Sequence, residues 1–219
     1  MDTKKHDALD ADWRVVNTQW QIHMAEKFLE LTEAQMGEVI KRELEEVKAS
    51  LTHSKDYEEY LMELNHQEDF YEEGILPILR YSHVVLLHIL IETRLRAFCR
   101  LMKEEKKLPE ILPSDFRGGP VEQVQLYLKK LVGISVNEIP GWDALKDFQK
   151  VRDCIVHVFG EVAESKDKDY LHVLASKNLG IQIDEVGRLK VDSTFCASQI
   201  LNIRNFFDGL FLKCGWWGK

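Results

Sequence analysis

Glycine and proline are scarce in this chain, 12 and 5 among 219 residues. That leaves little room for disordered linkers and points to a protein dominated by regular structure. Cysteine is sparse too. Cys99, Cys154, Cys196 and Cys214 are scattered, form no C-x-x-C pair and sit in apolar helical patterns. This argues against a disulfide scaffold or a zinc site and predicts reduced, buried thiols. Positive charge is in deficit, with 29 Lys and Arg against 37 Asp and Glu for a net −8. A chain so acidic does not coat nucleic acid through bulk charge, although a confined basic pocket remains compatible with it. The N-terminus lacks the apolar core of a signal peptide. The most apolar segment, Ile75 to Ile91, is interrupted by Arg80 and His83 and is short for a bilayer span. The expectation is a cytoplasmic protein with no membrane partner, that segment being a buried core helix. There is also no H-E-x-x-H, no P-loop and no G-x-S-x-G, so no metal or cofactor is expected from motifs.

What the chain does contain is helical periodicity. Trp13, Val16, Trp20, Met24, Phe28 and Leu31 recur every three or four positions, continued by Val39, Ile40, Leu44, Val47 and Leu51. This predicts an amphipathic helix used for packing or dimer formation. Unbroken, it would be about 58 Å long at 1.5 Å per residue, so it either breaks near Gly37 or projects. Asp56 and Glu59 resemble a capping box. Residues 78 to 91 are apolar almost all round, as in the middle of a bundle, and the helix should run to about Lys107. Glu92, Arg94, Arg96 and Arg100 lie toward its far end. Glu92 either pairs with Arg96, four residues on, or serves a site. His83 and His88 read as locally satisfied.

Pro120 suits the first position of another helix, and the two glycines before it form a turn that could cradle a phosphate, though the fuller Gly-rich fingerprint is missing. The run 140–159 predicts a helix burying Leu145, Phe148, Val151 and Ile155. Alternating Ile181, Ile183, then Leu189, Val191, around Gly187 predict a small hairpin, followed by a final helix capped by Asp192 or Ser193. Trp216 and Trp217 should pack back or offer an aromatic contact surface. The fold class is therefore all-α, an antiparallel helical bundle with an N-terminal extension (1–70), a main bundle domain (71–219) and a small β-hairpin.

The chemistry concentrates in Lys150 to Gly160, where Arg152, Asp153 and His157 fall within six residues. A guanidinium can bind phosphate and an imidazole can move protons. About one Arg-x(4 to 6)-His match is expected by chance in this composition, so context must carry the argument. Asp153 and His157, four apart, are neighbours on a helix. Arg152 and His157 are separated by about 140° of rotation and roughly 7.5 Å of rise. They converge only through the long Arg stem, a distorted last turn before Gly160, or a second copy of the helix facing this one.

Read together, Asp-Phe-Arg-Gly-Gly (115–119), Val-Gln-Leu-Tyr-Leu-Lys-Lys-Leu-Val-Gly-Ile (124–134) and Trp-Asp-Ala-Leu-Lys-Asp-Phe-Gln-Lys-Val-Arg-Asp-Cys-Ile-Val-His (142–157) resemble a bacterial HEPN (higher eukaryotes and prokaryotes nucleotide-binding) domain. The upstream Leu-Ile-Glu-Thr-Arg-Leu-Arg-Ala-Phe-Cys (90–99), with Glu92, is similar to the preceding helix of such domains. The resemblance covers roughly residues 75 to 213. It implies a HEPN-like bundle that dimerises so that two Arg-polar-x3-His motifs meet. It further implies a metal-independent endoribonuclease of the toxin or defence-effector type, acting on single-stranded RNA and leaving a 2′,3′-cyclic phosphate. His157 would be the acid or base, Arg152 would stabilise phosphate charge, and Asp153, where the family often has Asn, would orient the histidine. Glu92 and Arg96 would support them. An antitoxin or regulatory protein is a further expected partner. The family also contains non-cutting members, so the alternative is a helical module for self-assembly, partner binding or nucleotide binding in a defence or stress system.

Overall fold

The computed structural model describes residues 12–51 and 57–216. With 79% of the described residues helical and one two-stranded antiparallel sheet among them, the fold is an all-α helical bundle with a small hairpin. The helices are α1 (Trp13–Leu51), α2 (Tyr57–Asp69), α3 (Leu76–Lys106), α4 (Pro120–Tyr127), α5 (Trp142–Val158), α6 (Lys168–Ser176) and α7 (Ser193–Cys214). Strands β1 (Ile181–Ile183) and β2 (Leu189–Val191) pair in the register Ile181↔Val191, Gln182↔Lys190, Ile183↔Leu189. That pairing places the alternating apolar residues opposite one another, as period-two patterning requires.

Helix α1 runs unbroken through Gly37. Its buried positions are Val15, Thr18, Ile22, Ala25 and Leu29, spaced three or four apart. The larger stripe of Trp13, Val16, Trp20, Met24, Phe28 and Leu31, expected to pack, is exposed instead. The residues chosen for burial are mostly smaller, and small residues let neighbouring helix backbones approach closely, which two tryptophans would prevent. Asp56, the cap of the expected Asp56/Glu59 capping box, and Trp217 lie outside the described residues.

Between α2 and α3 the helix widens into a π-turn, Phe70–Ile75, directly before Pro77. Proline removes one N–H from the ladder, and the wider turn accommodates the gap. By length and composition the run Leu61–Lys106 is long and apolar enough to cross a membrane. In the protein, its Val84, Leu87, Ile91, Leu95 and Phe98 are buried.

The described chain forms two compact units, each made of non-contiguous segments. Helices α1, α3, α5 and α7 each contribute residues to both. The first unit comprises the segments ending at Ala25, Val85–Asp153 and from Ser198. Its core is aromatic: Trp142 meets Phe206 at 5.5 Å between ring centroids, Phe206 meets Phe207 at 5.5 Å, and Phe207 meets Phe211 at 5.9 Å. Trp216 packs back as expected, 5.1 Å from Phe98 and stacked on Phe211. The Arg14 guanidinium lies 3.7 Å above the Trp216 ring, while Glu105 accepts the indole N–H at 3.1 Å. Gly141 (φ +86°) lets α5 begin against α7, since a Cβ there would meet the Asn202 carbonyl at 2.5 Å.

The second unit comprises Glu26–Val84 and Cys154–Ala197. Ile181, Leu189, Val191, Leu171, Val162 and Phe195 make its interior. Asp192 caps α7 by accepting the Phe195 N–H at 2.8 Å. Tyr81 donates its hydroxyl to the Leu189 carbonyl at 2.5 Å, which joins α3 to β2. All four thiols are free, and Cys99, Cys154 and Cys196 are buried. Burial pushes Cys99 and Cys196 up to about 12, so neither is a nucleophile near neutral pH.

Candidate functional site

Helix α5 carries the residues of interest. Leu145, Phe148, Val151, Cys154 and Ile155 make its buried stripe. It stops because Phe159 (φ +51°) and Gly160 (φ +84°) turn left-handed and the Gly160 N–H closes back on the Cys154 carbonyl at 3.2 Å. A side chain at Gly160 would collide with the Tyr81 hydroxyl. The final turn of α5 is thereby fixed.

Arg152 borders the apolar stripe, with a side chain 26% exposed. Its Nη1 donates to Asp153 Oδ1 at 2.9 Å, so the predicted orienter of the histidine is engaged with the guanidinium. The Arg152 Nε is buried and has no hydrogen-bond partner among the described residues. Close by on α3 is His88, 2% exposed, with neither ring nitrogen hydrogen-bonded among the described residues. Burial, and then the charge of Arg152, hold its pKa down at about 4, against a smaller upward pull from Asp153. His88 was expected to be locally satisfied; the structure corrects this. One turn along α3, Glu92 Oε1 lies 3.3 Å from Nδ1 without forming a hydrogen bond to it. With the ring neutral at pH 7, that contact is not a salt bridge there.

Glu92 itself is mostly covered and accepts from Arg96 Nη2 at 3.4 Å, the pairing expected from their spacing. In the first unit His88 of α3 thus lies near Arg152 and Asp153 of α5, and Glu92 stands between His88 and the exposed Arg96 along α3. His88 is the member that sequence reading missed as part of this group. Its signal was the four-residue spacing to Glu92, the same spacing that links Glu92 to Arg96.

His157 lies on the last turn of α5, within the second unit. It is exposed and makes no hydrogen bond or ion pair with the described residues. Around it on the same turn, Val156 and Phe159 are exposed apolar groups, 45% and 59%. An imidazole so placed is open to a ligand or to a second molecule. No protein-family model, curated protein or solved structure matches this chain.

Among the described residues, no three His, Cys, Asp or Glu side chains are grouped to hold a metal ion. The glycine turn before α4 is already occupied by the protein itself. The Gly119 N–H donates to the Glu122 carboxylate at 3.0 Å, a helix cap rather than an open phosphate cradle.

Proposed function

We propose that this protein is a HEPN-like endoribonuclease that cleaves single-stranded RNA as a homodimer, of the toxin or defence-effector type. The observation that carries the proposal is His157, exposed and without a hydrogen-bond or ion-pair partner among the described residues, five residues along the sequence of α5 from the Arg152 guanidinium. In this reading two subunits apply their α5 helices to one RNA strand. Arg152 of one subunit meets the scissile phosphate with the Nη donors that Asp153 does not occupy. One imidazole takes the proton from the ribose 2′-OH as that oxygen attacks the adjacent phosphorus. His157 of the partner subunit protonates the 5′-oxygen as the P–O5′ bond breaks. The products are a 2′,3′-cyclic phosphate and a 5′-hydroxyl, and Arg152 compensates the charge that builds on the phosphoryl oxygens. Asp153 is a positioning residue that holds the guanidinium.

A second reading, a non-catalytic module for self-assembly or partner binding, is favoured by one observation: Arg152 is already paired with Asp153 and half-buried. The two are separated by incubating the full-length protein with a panel of single-stranded RNAs in EDTA and analysing the ends. Cyclic-phosphate termini are expected. If every RNA stays intact, the nuclease reading gives way to the binding module.

A further inference from the structure

The first unit contains a cleft of about 910 Å³ that the α5 chemistry does not use. Its walls are the C-terminal half of α3, the segment 108–114 and the start of α4. The volume falls at the upper end of small-molecule sites.

The two sides of the cleft differ in character. The α3 side carries the cations Arg94, Arg96, Arg100, Lys103 and Lys107 together with the carboxylate of Glu104. Lys103 pairs with Glu110 and Arg96 with Glu92, which cancels two of the cations. Lys107, just past the end of α3, has Glu104 three residues before it. The surplus charge therefore rests on Arg94 and Arg100, neither of which forms an ion pair with the described residues. Arg94 is partly buried, and its Nε–H has no hydrogen-bond partner among the described residues. Burial, and then the charge of Arg100, lower its pKa. A covered donor left unpaired costs stability that an acceptor in the cleft would restore.

The facing side is apolar: Leu108, Leu112, Pro113, Pro120, Val124 and the ring of Tyr127. Tyr127 is 1% exposed, and its hydroxyl makes no hydrogen bond with the described residues. Gln123 is the one carboxamide side chain in the lining, and its Nε2 is spent on the Gly118 carbonyl at 3.0 Å. The lining thus offers contact area, but no free carboxamide with which to read the edge of a base.

We infer that this cleft binds an organic monocarboxylate with an extended apolar body, a fatty acid or an arylalkanoic acid. The carboxylate lies against Arg94 and Arg100, because the neighbouring N–H groups of a guanidinium match its two oxygens side by side. The body lies along the leucine, proline and Tyr127 side. A run of phosphates fits less well, since charge beyond the first group is driven against Glu104. The site stands apart from the reaction proposed for α5, and either can hold without the other.

The test is calorimetric titration of the full-length protein with decanoate, 4-phenylbutyrate, acetate, decyltrimethylammonium and ATP, the decyl compounds kept below micelle-forming concentrations. One of the two apolar carboxylates is expected to bind with a Kd below about 100 μM, and the tighter of them tells a fatty ligand from an aromatic one. Acetate lacks the body, and decyltrimethylammonium carries the decyl chain on the opposite charge; neither should bind. Arg100→Gln and Leu112→Asp alter exposed side chains at the two sides of the cleft, and circular dichroism checks that both variants are folded. Each should weaken binding of the tighter carboxylate at least about fivefold. The inference is overturned if neither carboxylate binds at about 1 mM, or if either folded variant keeps the wild-type affinity. It is also overturned if decyltrimethylammonium binds as well as decanoate, which would leave apolar contact alone, or if ATP binds more tightly than both carboxylates.

Discussion

His88 Nδ1 lies 3.3 Å from Glu92 Oε1, yet neither nitrogen of the His88 ring makes a hydrogen bond with the described residues. Burial lowers its pKa from 6.5 to about 4, Arg152 reinforces the shift, and Asp153 opposes it. Between those two values the unfolded chain binds a proton that the folded protein refuses. His88 therefore contributes stability above about pH 6.5 that is lost as pH falls toward 4, as much as about 3 kcal/mol. His83, also lowered by burial, acts in the same sense. Urea denaturation at pH 7 and pH 4.5 should show the loss, and His88→Leu should reduce it. An unchanged pH dependence in that variant would refute the assignment.

His157 and Arg152 should separate activity from stability. His157 is exposed, so His157→Ala should change stability by less than about 0.5 kcal/mol while lowering RNA cleavage at least about 100-fold. Arg152→Ala should lower cleavage to a similar degree and also destabilise by about 1 to 3 kcal/mol, because it leaves the mostly buried Asp153 carboxylate without its guanidinium. RNA cleavage by purified His157→Ala at the wild-type rate would remove the imidazole from the mechanism.

If two α5 helices must meet, the exposed apolar pair beside His157 should be needed for pairing. Val156→Lys or Phe159→Lys is expected to shift the protein toward monomer in analytical ultracentrifugation and to lower cleavage in step. His157→Ala should lower cleavage with no change in mass. Full activity from a variant that sediments as a monomer argues against a shared site.

The end of α5 depends on Tyr81 and Gly160. Tyr81→Phe removes the hydroxyl that reaches the Leu189 carbonyl and should cost about 1 to 2 kcal/mol. Gly160→Ala adds a Cβ at φ +84° against that same hydroxyl and should cost about 1 to 3 kcal/mol. Thermal melts of both variants check this; a Gly160→Ala protein as stable as wild type would mean that the turn is not held as described.

Much of the fold can be read from single elements. The buried stripe of α5, the alternation of β1 and β2, the Asp192 cap and the Glu92–Arg96 pair are all local. Each depends on residues three or four apart in a helix or two apart in a strand, and spacing alone reveals them. The candidate site is only half legible in this way. Arg152, Asp153 and His157 are adjacent in sequence, but spacing does not show that Asp153 turns to the guanidinium.

The sequence by itself determined that this is a helical protein with one hairpin, and where Arg152, Asp153 and His157 stand along α5. Tertiary structure decided which of two apolar stripes on α1 is buried, leaving Trp13 and Trp20 exposed, and it left His88 without a hydrogen bond near Arg152. It also made the arginines of α3 into the wall of a cleft by folding the segment 108–120 across them. The reason is that periodicity records what a helix offers, whereas burial and charge pairing depend on the elements that come to lie against it.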